Sequence, residues 1–403
     1  MLSYLSDWLQ IILRFLHIIT GIAWIGASFY FVWLDNHLQK PQSKDLSDKG
    51  VDGELWAVHG GGFYNPQKYL IAPKMLPDNL HWFYWESYST WLSGFALYIV
   101  VYLLNAKTML IDLRVAQISE SVAIVSSLGI LVAGWLLYDF VCKRWHKNER
   151  IVGLLTLLIV AFISWLTCHL FAPRAAFLIT GATMATAMSA NVFFWIIPGQ
   201  RAVIKSMRAG ETPDPIHGQR GKQRSVHNTY FTLPVIFAML SNHFHMIYSA
   251  NYQWVLLIMI MLAAAFIRHY FVMRHKNKNK WGYLVAAATI LASMILHLAP
   301  SPRAQASAGA EAPQRQVSTA EIMPIIAKRC APCHAEAPTM MSIAPKNLKL
   351  ETTESVEANA NNIYTQVVVQ KVMPLGNVTE LTSEERHEID LWFLSLSRLE
   401  SRP

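Results

Sequence analysis

The chain has 403 residues, 53% of them hydrophobic and only 15% charged, with a formal net charge of +8. So much apolar content excludes a disordered chain. Its gathering into runs of about twenty residues, long enough to cross a bilayer core as helices, points to a membrane protein. The positive surplus comes without an aromatic-basic patch or nucleic-acid-binding motif, so no nucleic-acid partner is expected.

Eight apolar runs predict eight spanning helices, approximately Trp8 to Leu34, Trp82 to Leu104, Ile118 to Val141 and Ile151 to Phe171, then Ala175 to Ile197, Val226 to Tyr248, Gln253 to Val272 and Trp281 to Leu298. The first has no basic start and no small-residue cleavage site, so it is expected to stay in the bilayer rather than be removed as a signal peptide. Basic residues fall in the odd-numbered connections: Lys40, Lys44, Lys49, Lys68 and Lys74; Lys143, Arg144, Lys147 and Arg150; Arg201, Lys205, Arg208, Arg220, Lys222 and Arg224; Arg274, Lys276, Lys278 and Lys280. The even-numbered connections hold only Lys107, Arg114 and Arg174. The positive-inside rule then predicts a multi-pass protein of a bacterial inner membrane with both termini periplasmic. Cys142 and Cys168 fall near opposite faces, as packing residues rather than a disulfide.

In the first helix Arg14, His17, Gly21, Trp24 and Ser28 recur at steps of three and four and share one stripe. An imidazole with a glycine one turn away leaves room for a flat macrocycle, making His17 a candidate haem b ligand. The alternative is a packing glycine and a histidine hydrogen-bonded to a neighbour. The first connection carries Gly60, Gly61 and Gly62, which permit positive φ or close backbone approach. His81 then leads into Trp82, Phe83, Tyr84, Trp85 and Tyr88, aromatics that either stack a flat ring or form an interfacial belt. Glu86, about a turn inside the second helix, would be desolvated toward the pKa of a general base. His81 and His227 are further catalytic candidates; Gly61, Gly62, Trp85, Tyr88, Asn228 and Arg201 are candidate substrate contacts. At the outer end of the sixth helix stand Asn242, His243 and His245, level with His169 and His297. His243 or His245 could ligate a haem b, useful because a bilayer core of roughly 30 Å is too wide for one electron-transfer step; helix-end histidines also serve as plain interface anchors.

Residues 299–317 are rich in Ala, Pro, Ser and Gln and read as a flexible tether. The next unit, 318–403, opens with a capping box at Ser318 to Glu321 and carries Cys330-Ala331-Pro332-Cys333-His334. C-x-x-C-H attaches one covalent haem c through Cys330 and Cys333, with His334 on one axial face of the iron. Met373, followed by proline in a Gly/Asn loop, is the expected second axial ligand, the alternative being an ordinary core methionine. A second box at Thr382 to Glu385 opens a last helix with Ile389, Trp392, Phe393 and Leu396 at helical spacing. This region resembles a class I cytochrome c. The fold expected is all-α: an eight-helix transmembrane domain over 1–298, then a small cytochrome domain in the periplasm.

Phe15 to Phe31, Trp56 to Tyr64, His81 to Gly94 and Asn191 to Gln200 resemble the membrane-bound urate oxidase (urate hydroxylase) family. That resemblance implies oxidation of urate to 5-hydroxyisourate, with electrons leaving through the cytochrome to a periplasmic or membrane respiratory acceptor. Two alternatives stay open. The H-x-x-x-G-x-x-W-x-G run from His17 is similar to integral-membrane protoporphyrinogen oxidases, which would make a porphyrinogen the substrate. A non-catalytic cytochrome anchor or transporter is the other, for which only Pro234 hints at a helix broken in the membrane.

Overall fold

The computed structural model describes residues 2–69, 73, 76–250, 252–275, 278–299, 315–341 and 343–400. Lys74, Lys276 and residues 300–314 of the expected tether lie outside the described residues, as does the side chain of His245. In chain order the first half comprises α1 (Leu2–His37), α2 (Lys44–Asp48), β1 (Val51–Glu54), β2 (Ala57–His59), β3 (Gly62–Tyr64), β4 (Gln67–Tyr69), α3 (Trp85–Tyr98), α4 (Ala106–Met109) and α5 (Glu120–Arg144). Then come α6 (Glu149–Leu170), α7 (Pro173–Asn191), α8 (Ile197–Arg208), α9 (Pro215–Leu240), α10 (His245–Tyr248), α11 (Gln253–His275) and α12 (Gly282–Leu298). The C-terminal unit holds α13 (Thr319–Arg329), α14 (Thr353–Ala358), α15 (Ala360–Ile363) and α16 (Ser383–Glu400).

Each apolar run falls on a helix, and five helices among the described residues are long and apolar enough to cross a membrane: Tyr4–His37, Glu120–Arg144, Glu149–Leu170, Pro173–Arg208 and Gln253–Arg274. This is the make-up of a membrane protein. Two helices run beyond their apolar stretch at the basic end. The fifth continues through α8 to Arg208, and the sixth begins at Pro215 rather than near Val226. Asp214 caps that early start, its carboxylate accepting from the Ile216 N–H at 2.9 Å, with Pro215 in the first turn. Local capping, not hydrophobicity, decides where a helix leaving the bilayer stops.

The first connection departs from an all-helical fold. β1 pairs with β4 and β2 with β3, both antiparallel. His59 faces Gly62 across a two-residue turn, Gly60-Gly61, whose φ values of 58° and 81° suit the primed hairpin turns that glycine favours.

α7 is the centre of the bundle and packs on α5, α6 and α9. Small residues allow the approach: a Cβ on Gly134 would sit 2.3 Å from Thr183 Cγ2, and one on Gly181 2.5 Å from Ala238 Cβ. α1 is peripheral and packs mainly on α3, leaving Ile11, Ile12, Phe15 and Ile18 exposed to the surroundings. Such a face is stable against lipid and not against water.

The C-terminal unit has its own core of Ile322, Ile326, Leu350, Val356, Ile389 and Trp392. Both expected capping boxes form. The Glu321 carboxylate accepts from the Ser318 N–H at 2.7 Å, and that of Glu385 from the Thr382 N–H at 2.9 Å, while Thr382 Oγ1 accepts from the Glu385 N–H at 3.2 Å. The unit starts slightly before Ser318: Val317 is buried and donates to Ser395 Oγ at 3.1 Å, and Arg315 pairs with Glu321 and Glu388.

Candidate functional site

At the basic end, the start of α3 meets a π-helical turn, Val192–Ile196, that joins α7 to α8. The last bond of this turn runs from the Ile197 N–H back to the Val192 carbonyl, just before Pro198, which has no N–H to give. Such turns recur at functional sites because they re-aim side chains. Here three successive rings go to three neighbours: Phe193 to Tyr88 at 5.5 Å, Phe194 to Trp135 at 5.0 Å, and the Trp195 N–H to Asp139 Oδ1 at 2.7 Å.

On the α3 side, Arg201 stands over the Trp82 ring at 5.9 Å and is an electrostatic neighbour of Tyr88. Tyr84 lies 5.1 Å from Tyr88. Glu86 is half-buried, and its Oε2 is buried without a hydrogen-bond partner. A carboxylate oxygen in that state is costly unless a ligand or proton satisfies it. Trp85 is exposed, as is His81, which meets Phe83 edge-on at 4.7 Å. Gly61 is exposed at the hairpin tip and Gly62 pairs with His59, so the glycine run is accounted for by the turn.

On the other side of the π turn is a network that the sequence reading missed. Arg224, 2% exposed, donates to Asp139 Oδ1 at 2.8 Å and to Asn191 Oδ1 at 3.2 Å. Asn191, fully buried, donates in turn to the Tyr138 hydroxyl at 3.1 Å and to Asn228 Oδ1 at 2.9 Å. Lys143 reaches the second oxygen of Asp139 at 2.8 Å. Three cations lie near the Trp195 ring: Arg224 at 5.0 Å, Lys143 at 5.2 Å and Arg220 at 5.6 Å. The signal available beforehand was an aspartate inside an apolar run with lysine four residues on. Arg224 had counted only as one more inside charge.

His227 belongs to this second side, apart from Glu86 and His81. Its Nδ1 meets the Tyr138 hydroxyl at 2.8 Å, and its Nε2 lies 3.7 Å from Glu149 Oε2. It lines a cavity of about 830 Å³ between α6, α9 and α11. The walls are chiefly apolar; Glu149, Lys222 and Gln223 stand at the basic end, and a Tyr230–His269 pair at 2.6 Å lies deeper. Of the three catalytic candidates His227 lines this cavity, whereas Glu86 and His81 stand at and before the start of α3, on the opposite side of the π turn.

Of the haem b candidates, His17 has other partners. His17 Nδ1 lies 3.1 Å from the Thr90 carbonyl and 3.2 Å from Ser93 Oγ. A Cβ on Gly94 would come within 2.7 Å of its ring. The glycine that makes room is thus Gly94, not Gly21, and the imidazole itself fills the room, which is the packing alternative. His243, His169 and His297 are exposed at the opposite end, His169 bonded to the Trp165 carbonyl at 2.7 Å. Among the described residues no three His, Cys, Asp or Glu side chains gather as a metal site. His17 is thus seated as a packing histidine.

Residues 3–299 match the urate oxidase N-terminal family. The chain belongs to that family. No curated protein and no solved structure matches the chain.

The match of the urate oxidase family ends at residue 299, so the C-terminal unit must be read from its own residues. Cys330 closes α13, and Cys333 and His334 follow on one turn, both N–H groups bonding to the Cys330 carbonyl at 3.0 and 2.9 Å. His334 Nδ1 meets the Leu348 carbonyl at 3.1 Å, which orients the ring and leaves Nε2 for a metal. Burial, with Cys333 and Glu385 nearby, pushes the Cys330 thiol up to about 12, and burial raises Cys333 as well. Neither is poised as a redox thiolate. Met373 packs on the same core as Cys330, and its loop is fixed by Arg386, which donates to the Met373 carbonyl at 3.3 Å. The donor set fits a covalent haem c.

Proposed function

We propose that the protein is a membrane urate oxidase that converts urate to 5-hydroxyisourate at the basic end of its membrane domain and delivers the electrons to its C-terminal unit. Membership of the urate oxidase family carries this reading, and the chemistry beside the π turn supports it. Urate is a planar, electron-rich anion. Trp82, Tyr88 and Phe193 offer ring faces, and Arg201 offers the positive charge. Water adds to the purine ring as two electrons and two protons leave, so a base must stand by. Glu86 takes that role because its buried Oε2 has no other partner.

In the C-terminal unit Cys330 and Cys333 would hold a haem c covalently, and His334 and Met373 would supply a nitrogen and a sulfur donor to its iron. When bound, that group would supply a one-electron acceptor. α16 packs over the unit's core, with Trp392 fully buried and its Nε1 donating to Thr319 Oγ1 at 3.1 Å. The onward acceptor is a periplasmic or membrane respiratory carrier. The family match over residues 3–299 favours urate over a porphyrinogen, the alternative that the His17–Gly21 stripe suggests.

The test is purification in detergent, a pyridine haemochrome count, and anaerobic addition of urate. Reduction of two equivalents of c haem per urate consumed is expected. A c haem that stays oxidised while urate persists refutes the assignment.

A further inference from the structure

The C-terminal unit rests on the membrane domain at the connection after α3. The connection after α3 presents Ala106 to Arg114, and the loop that carries Met373, from Lys371 to Asn377, is seated on it. Arg114 is clamped by the buried carboxylate of Asp112, its Nε donating to Oδ1 at 2.9 Å and Nη2 to Oδ2 at 2.6 Å. So fixed, its Nη1 donates to the Lys371 carbonyl at 2.8 Å. Val372 packs against the membrane-domain core cluster, whose members include Tyr98, Tyr102, Leu110 and Ile111. Gly376, at φ 60°, comes so close that a Cβ would lie 2.5 Å from the Ile111 carbonyl oxygen. A buried carboxylate that holds a guanidinium for one backbone carbonyl, and a glycine with no space for a methyl, are the marks of a specific seat rather than a chance touch.

What ends at this seat is α3. Along it Tyr84, Tyr88, Trp91, Phe95, Tyr98 and Tyr102 recur at steps of four and three, an aromatic file on one face. Ring centroids are 5.1 Å apart for Tyr84 and Tyr88, 5.1 Å for the stacked Trp91 and Phe95, and 5.6 Å for the stacked Tyr98 and Tyr102. The file starts beside Glu86 and finishes in the cluster that receives Val372, next to Met373. At 1.5 Å per residue α3 and the π-helical turn that continues it, Ile99–Leu103, span about 28 Å, the thickness that otherwise calls for an internal relay.

We propose that the Asp112–Arg114 seat is the electron exit of the membrane domain: the Met373 loop docks on it, and electrons from the substrate cross along the α3 aromatic file to the docked unit. This rests on the urate reading. In each transfer the substrate loses one electron and the c haem gains it, two transfers completing the oxidation. Arg114 acts here as a positioning residue. It belongs to the membrane domain, so changing it leaves the haem-binding loop's own sequence intact.

The experiment compares wild type, Arg114→Ala and Arg114→Lys as full-length haem-loaded protein in detergent. Amide hydrogen exchange over 106–112 and 371–377 reads docking; anaerobic stopped-flow with urate reads transfer; midpoint potential and reduction by ascorbate report on the c haem itself. Arg114→Ala should raise exchange in both segments and slow urate-driven reduction at least tenfold, with potential and ascorbate reduction unchanged. Arg114→Lys should recover part of the rate. Unchanged exchange, or raised exchange with a wild-type reduction rate, overturns the proposal. If urate fails to reduce even the wild type, the urate reading falls, and the seat is judged by the exchange data alone.

Discussion

Arg224→Met tests the buried network most directly. The substitution removes the guanidinium that bonds Asp139 and Asn191, with side chains 3% and 8% exposed for Arg224 and Asp139. Breaking one partner of a buried pair typically costs 3–5 kcal/mol, since the remaining charge is left uncompensated. Asp139 keeps Lys143 and the Trp195 N–H, so the lower end, about 3 kcal/mol, is expected. For a domain of this size that lowers the melting temperature by roughly 6–12 °C. The assay is thermal unfolding in detergent followed by tryptophan fluorescence, with Asp139→Asn and the double variant alongside. The double variant should fall less than the sum of the singles, because it leaves no orphaned charge. A shift below about 2 °C, or strict additivity, refutes the network as a stabilising unit.

Glu86→Gln keeps the shape but not the base: turnover should drop by roughly 10²–10⁴, while thermal stability holds or rises because the orphaned oxygen is less costly uncharged; unchanged turnover refutes the assignment. Met373→Ala should lower the c-haem midpoint potential, since a thioether axial ligand raises it, and a potential equal to wild type would show that Met373 is an ordinary core residue. The capping box of α13 predicts acid sensitivity. Hydrogen bonds from the Ser318 N–H, then from Arg315 and the Ser318 hydroxyl, hold Glu321 at about 2, below its ordinary 4.5. A depressed carboxyl contributes fully above about 4.5, and the contribution is lost as pH falls toward 2. Ser318→Ala/Glu321→Gln should therefore flatten the pH dependence of C-terminal domain unfolding across that window; identical curves would count against the box.

The sequence by itself determined where the helices lie, since runs of apolar residues long enough for a bilayer and capping boxes such as Ser318–Glu321 and Thr382–Glu385 are local properties. The haem c proposed for the C-terminal unit also comes from the sequence, because C-x-x-C-H names its candidate ligands by spacing alone. Gly60 and Gly61 were visible as conformational specials, but only the pairing of His59 with Gly62 shows that a hairpin uses them. Tertiary structure decided which residues meet. His227 came to line the cavity between α6, α9 and α11, which Glu86 does not, and His17 found Gly94, far along the chain, as its cradle. Asp139, Arg224 and the Asn191–Trp195 stretch come from three separate segments and form a network where a π turn re-aims one helix. The seat joining Arg114 to Lys371 could not be read from either segment, since a backbone carbonyl has no sequence signature and its partner is set by packing alone.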